Sequence, residues 1–132
     1  MSVRNLTLDF GKKAGKLWMA LNEKGPLEKN KILKVTKLKT SDFYSAVGWL
    51  ARENKILNEG NQYRLGNTNL TSEIGSNAGK LWEVMKHWGE VDLISMKRLT
   101  NIDEKSIHSA LGWLAREDKI CSHGKPAKFS LK

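Results

Sequence analysis

Residues 48–53 read Gly-Trp-Leu-Ala-Arg-Glu, and residues 112–117 read the same six letters again. The offset of 64 extends far beyond this stretch. Between residues 5–56 and residues 69–120, 21 of the 52 paired positions are identical without a gap. Identity at a fixed offset indicates internal duplication. Two copies are too few for a solenoid, which needs about three repeats, so each copy must hold its own core or share one with the other.

The spacing of apolar residues predicts three helices and a hairpin in each copy. In the first segment, apolar residues recur at i, i+4, i+7, i+8 and i+11 from Phe10, which marks one face of a helix. The elements predicted in the first copy are a helix over 9–24, a short strand over 26–28, a second helix around 32–35, a third helix over 41–53 and strands at 56–57 and 62–65. Those predicted in the second copy are a helix around 74–85, a short strand over 90–92, helices over 93–99 and 103–117, and strands at 120–121 and 127–131. We expect Asp9, and Ser72 or Ser76, to be the N-caps of the first helices.

The order of these elements predicts the fold class. A tight turn between the second and third helices, followed by a hairpin, is the winged helix-turn-helix arrangement. We therefore expect an α+β, mostly helical protein made of two tandem winged helix-turn-helix domains, each with three helices plus a small β-hairpin wing. The predicted domain boundaries are residues 1–66 and 67–132.

Two stretches of the second copy also carry a resemblance. Residues 77–82 read Asn-Ala-Gly-Lys-Leu-Trp, and residues 110–120 read Ala-Leu-Gly-Trp-Leu-Ala-Arg-Glu-Asp-Lys-Ile. With them the chain resembles a family of short prokaryotic winged helix-turn-helix proteins of uncharacterised function, here as a tandem duplication. The first copy departs from the pattern with Lys12-Lys13 before Ala14 and with Val47 in place of leucine. The resemblance implies a module of the DNA-binding kind, although a fold does not fix a function.

The composition narrows the classes of function. The 132 residues carry a formal net charge of +9, which favours a polyanionic partner. No apolar run is long enough to span a membrane, and the start of the chain has no secretory signal pattern. The single cysteine, Cys121, excludes an internal disulfide and is typical of the cytoplasm. The scattered histidines and the absence of nucleotide or nucleophile motifs predict no enzyme, no metal and no cofactor.

The positive charge is concentrated in the first copy. Residues 1–66 hold 13 Lys and Arg against 6 Asp and Glu, a net of +7, whereas residues 67–132 hold 10 against 8, a net of +2. The lysines from the second helix into the next turn are Lys29, Lys31, Lys34, Lys37 and Lys39. In winged-helix DNA readers this region meets the phosphate backbone while the third helix enters the major groove. A merely solvated charged face is the alternative.

The third helix of each copy has a small polar side opposite its apolar face. Gly48 and Gly112 lie in the middle of these helices, where glycine costs about 1 kcal/mol relative to alanine. They indicate close approach of a DNA backbone, of the other copy or of a partner. We expect Trp18 and Trp82 to be core residues, Trp49 and Trp113 to pack within or between the copies, and Trp88 to lie at the contact between copies.

Two functions are compatible with these patterns. The first is DNA binding, for instance by a transcriptional regulator, weakly or without sequence specificity; the second is a protein-interaction or scaffold module that binds no DNA. The predicted DNA-binding residues are Lys34, Lys37, Lys39, Ser41, Tyr44, Ser45, Arg52, Arg64, Lys105, His108, Ser109, Arg116, Lys125 and Lys128. The expected partners are duplex DNA or a protein and not a membrane. We expect a monomer or a weak homodimer.

Overall fold

The computed structural model describes residues 3–4 and 6–132, and it confirms two tandem winged-helix units. The first unit comprises β1 (Val3–Arg4), α1 (Leu6–Lys24), β2 (Leu27–Glu28), α2 (Lys29–Thr36), α3 (Thr40–Arg52), β3 (Ile56–Glu59) and β4 (Gln62–Leu65). The second unit comprises α4 (Thr71–Trp88), β5 (Val91–Asp92), α5 (Leu93–Thr100), α6 (Glu104–Arg116), β6 (Ile120–His123) and β7 (Lys128–Leu131). The predicted order of elements is confirmed from α1 onward, while β1 was not predicted and the first helices begin earlier than predicted.

The helix ends correct three cap predictions. Asp9 lies in the first turn of α1 rather than before it, and Leu70 is the N-cap of α4, so Ser72 and Ser76 lie inside that helix. The apolar residues just before the predicted starts explain the difference. Leu6 is buried, so the first turn of α1 gains packing that a polar cap at residue 9 would forgo.

The two units exchange the beginnings of their first helices. Leu6 and Phe10 of α1 pack into the core formed by α4, α5 and α6, where Leu6 is 1% exposed. Ile74 of α4 packs reciprocally into the core formed by α1, α2 and α3. Each core is therefore completed by a residue from the other half of the chain. The division at residues 66 and 67 remains a prediction about where the repeats meet.

The sheets of the two units differ at one edge. In the second unit β1 pairs antiparallel with β6 and extends the sheet to the order β1-β6-β7-β5, whereas the sheet of the first unit has the order β2-β4-β3. Beside β3, the side chain of Asn69 takes the place of a strand: its Oδ1 accepts from the Asn58 amide at 3.1 Å and its Nδ2 donates to the Asn58 carbonyl at 2.7 Å. A side-chain amide can pair with one backbone residue in this way because it carries both a donor and an acceptor.

Candidate nucleic-acid interface

The third helices of the two units, α3 and α6, pack directly against each other. A Cβ added to Gly48 would lie 1.8 Å from the carbonyl oxygen of Ser109, and one added to Gly112 would lie 1.9 Å from the carbonyl oxygen of Ser45. Only glycine allows backbones to approach so closely. Of the three explanations for these glycines, the structure supports contact between the two copies.

Tryptophan and arginine side chains frame this contact at both ends. The guanidinium of Arg52 lies 5.7 Å from the ring centroid of Trp113 and its Nε lies 3.0 Å from the carboxylate of Glu117. The reciprocal side has Arg116 at 5.7 Å from the ring of Trp49, with its Nε 2.9 Å from the carboxylate of Glu53. The prediction that Trp49 and Trp113 pack within or between the copies is confirmed, since both contact the two hydrophobic cores.

Mutual packing removes the middle of both third helices from the surface. Ser45 is 2% exposed and Ser109 is 7% exposed, so the prediction that these two serines face outward is wrong. The reason is that small polar residues which resemble a solvated face are the ones that let two helices approach. Tyr44 and His108 are half-buried. Burial is the largest influence on the His108 imidazole and holds its pKa below its ordinary value, so His108 adds little positive charge near neutral pH.

The lysines of α2 and of the turn after it form the basic surface of the first unit, which we call the α2 lysine surface (Lys29, Lys31, Lys34, Lys37 and Lys39). Four of these side chains are exposed, and Lys29 is half-buried with its Nζ 5.9 Å from the ring centroid of Tyr44. Within residues 6–132, none of the five forms an ion pair. Their charge is therefore uncompensated by neighbouring carboxylates.

Comparison with known families agrees with this architecture. The chain matches the family described as "Winged helix-turn-helix domain (DUF2582)" over residues 4–66 and again over residues 69–131. The chain belongs to this family. No curated protein and no solved structure shows significant similarity to it.

The remaining predicted contacts of this winged helix-turn-helix protein are dispersed. In the first wing, Arg64 is exposed and its Nε lies 2.5 Å from the carboxylate of Glu59, which neutralises much of its charge locally. In the second wing, Lys125 and Lys128 are exposed. Ser41 and Lys105, at equivalent positions at the starts of α3 and α6, line one groove between the units. The predicted residues of the two wings thus lie on separate hairpins, whereas Lys29 and Lys39 of the α2 lysine surface lie close to the start of α3.

The tryptophans of the first helices behave differently from Trp88. Trp18 and Trp82 pack against the cores, as predicted, but each is only half-buried. Trp88 is 60% exposed, so the prediction that it lies at the contact between copies is wrong. Its ring packs edge-on against that of His87 at the C-terminal end of α4.

The structure shows two further features that bear on chemistry. Among the described residues, no cluster of three or more His, Cys, Asp or Glu could hold a metal ion. No helix in the same part of the chain is long and apolar enough to cross a membrane. Sequence reasoning gave contact between the copies as one of three explanations for the glycines, but it did not predict that this contact buries Ser45 and Ser109.

Proposed function

We propose that this protein is a non-enzymatic DNA-binding protein that holds the phosphate backbone of duplex DNA through the α2 lysine surface. The observation that supports the proposal is a group of five lysines within eleven residues, none of them ion-paired among the described residues. Contacts to phosphate position a protein on DNA but carry no sequence information. Buried third helices leave few side chains for base edges, so we expect binding with little sequence specificity.

The second unit offers a built-in comparison for this proposal. At the positions of Lys29, Lys31, Lys37 and Lys39 it carries Leu93, Ser95, Asn101 and Asp103. Asp103 also serves as the N-cap of α6, accepting from the Ser106 amide at 3.0 Å. The same structural position therefore stabilises a helix in one unit and supplies a cation in the other. This division of roles favours the first unit as the one that contacts DNA.

The test is the salt dependence of binding to duplex DNA, followed by fluorescence anisotropy. Five phosphate contacts predict a slope of about −4.5 in log Kobs against log salt. The pair Lys34→Glu and Lys37→Glu should weaken binding strongly and flatten the slope. The matched control is Lys16→Glu with Lys80→Glu, which changes the net charge equally at exposed, unpaired positions of α1 and α4. Equal loss of binding in both pairs would show a general charge effect and refute the assigned surface.

A second candidate, a protein-interaction module, is favoured by an exposed apolar patch on the second unit, where Trp88 and Leu99 line one groove. Trp88, Ile94 and Leu99 are 60%, 69% and 45% exposed, and the first unit has Lys24 and Asn30 at the first two of these positions. Large exposed apolar patches mark interaction sites. For this candidate we expect that Trp88→Lys with Ile94→Asn abolishes binding of a protein partner. The paired lysine substitutions should leave that binding unchanged. Loss of DNA binding with the patch variant instead would count against a separate role for the patch.

A further inference from the structure

The internal repeat makes the two ends of the α3–α6 contact equivalent. Paired side chains of the chain itself occupy one end, whereas the other end is an open cleft. A cleft of about 170 Å³ opens at one end, between the wing of the first unit, α4 and α6. The lining residues that matter for its chemistry are Tyr44, Tyr63, Glu73, Asn77, Lys105 and Ser106. This volume is below the ~300–1,000 Å³ of sites for drug-sized ligands, so a small molecule fits it.

At the equivalent place of the other end, a lysine of the chain itself occupies the space. The offset of 64 relates Asn77 to Lys13 and Ser106 to Asp42. The Nζ of Lys13 lies 2.9 Å from Oδ1 of Asp42 and 3.6 Å from Oδ2 of Asp9, and it lies 5.8 Å from the ring centroid of Phe10. One end of the contact therefore binds an ammonium group between carboxylates and an aromatic ring.

The open cleft keeps a carboxylate but lacks that ammonium. Glu73 stands at the position of Asp9, while the shorter Asn77 replaces Lys13. Within residues 6–132, Glu73 forms no ion pair. Tyr44 and Tyr63 add aromatic rings and hydroxyl groups, and burial is the main reason that the pKa of Tyr63 is raised, which keeps its hydroxyl protonated at neutral pH. An ammonium group brought by a ligand would find a counter-charge and hydrogen-bonding partners here.

An opposite charge lines the same cleft. Lys105 replaces Ser41 of the other end, and it forms no ion pair in the part of the chain that the structure describes, not even with Glu73. A carboxylate and an ammonium that face one small cleft without pairing are complementary to a ligand with both charges. A ligand with only one of the two charges would pair with only one of these side chains.

We propose that this cleft binds a small zwitterion, an amino acid or a close analogue, with its ammonium at Glu73 and its carboxylate at Lys105. The tyrosine rings form part of the wall beside the ligand. Because α3, α4 and α6 all contribute residues, a bound ligand contacts both units. The binding site is independent of the α2 lysine surface.

The experiment is a titration of the full chain with glycine, β-alanine and γ-aminobutyrate, with propylamine and propionate as single-charge controls, followed by NMR amide shifts. We expect at least one zwitterion to shift amides around Tyr63 and Ser106 at about 10 mM or below, and each control to bind at least about tenfold more weakly. No shift with any of the three zwitterions, or equal binding of propylamine or propionate, would overturn the proposal.

Substitutions separate the cleft from non-specific binding. The pair Asn77→Lys and Ser106→Asp copies the filled end, so it should keep the fold and lose zwitterion binding at least about tenfold. Glu73→Gln, an exposed position, should cause a similar loss without altering packing. Lys13→Asn, at the other end, is the matched control and should leave binding at the cleft unchanged. Undiminished binding in either cleft variant would refute the assignment.

Discussion

The two halves of this chain share one fold but stabilise it by different means. In the first unit the helices α2 and α3 begin at Glu28 and Lys39 without a side-chain cap, whereas in the second unit Asp92 and Asp103 cap the equivalent helices. The first unit closes its sheet edge with the side chain of Asn69, and the second closes it with the strand β1. The first unit thus lacks side-chain caps on α2 and α3, and at the cap position of α3 it carries Lys39.

These differences between the two units suggest that the copies acquired different functions after duplication. Several positions that are identical in both copies, Gly48 and Gly112 among them, lie at the contact that joins the units. Many of the positions that differ lie on α2, on the turn after it and in the clefts. The contact is kept by both units, while surface chemistry differs between them.

The contact between α3 and α6 should be intolerant of any side chain at its centre. Gly48→Ala with Gly112→Ala places two methyl groups within 2 Å of carbonyl oxygens on the facing helix, and overpacking against backbone should lower the free energy of unfolding by about 4 kcal/mol for the pair. Urea unfolding measures this. Gly15→Ala with Gly79→Ala is the control, because nothing lies within 4 Å of either position, and each change should stabilise by about 1 kcal/mol. Similar behaviour of the two pairs would contradict the packing described.

The exchanged leucines should show which core each helix start completes. Leu6→Ala removes a fully buried side chain from the core of the second unit and should cost about 3 kcal/mol. Leu70→Ala, the counterpart in the first unit, is only half-buried and should cost roughly half as much.

Hydrogen exchange can locate the damage caused by these substitutions. Leu6→Ala should reduce amide protection first in α6 and β7, and Leu70→Ala should reduce it first in α3 and β4. If Leu6→Ala instead reduced protection first in the first unit, and Leu70→Ala first in the second unit, the described exchange of helix starts would be wrong.

The edge of β3 should depend on one side chain. Asn69→Ala removes both hydrogen bonds to Asn58 and should destabilise the protein by about 1 kcal/mol, because the exposed backbone groups can bond to water instead. Asn69→Asp keeps the acceptor for the Asn58 amide and loses the donor, so its loss should be intermediate. Thermal unfolding of the three proteins provides the measurement, and equal stability of all three would show that the edge needs no such partner.

Acid should destabilise the second unit by protonating Asp92 and Asp103, the N-caps of α5 and α6. The hydrogen bonds from Ser95 and Ser106 lower the pKa values of Asp92 and Asp103 below the usual 3.8. A lowered pKa in the folded state contributes stability that is present above the unfolded value and is lost as the pH falls through the folded value. Between pH 6 and pH 3 the wild type should therefore lose more stability than Asp92→Asn with Asp103→Asn. An identical pH dependence would show that the caps contribute nothing.

Sequence periodicity is sufficient to predict the helices and the wings, because each apolar face repeats at helical spacing in both copies. Periodicity does not show which of the two cores an apolar helix face packs into, so the burial of Leu6 and Phe10 in the opposite unit was not predictable. The third helices illustrate the same limit, since Ser45 and Ser109 have the polarity of surface residues but lie at a close backbone contact. The α2 lysine surface was predictable because five lysines within eleven residues are visible in the sequence itself.

We expect the third helices to stay buried against each other while the α2 lysine surface binds DNA. The most direct measurement is the set of NMR NOEs between the Hα protons of Gly48 and Ser109, and of Gly112 and Ser45, recorded without DNA and with a saturating DNA duplex. We predict that both contacts are present in both samples, and that DNA shifts the amides around Lys34 and Lys37 but not those of Ser45 and Ser109. Loss of the NOEs on adding DNA, with large shifts at Ser45 and Ser109, would contradict this prediction and would show that the third helices enter the DNA groove.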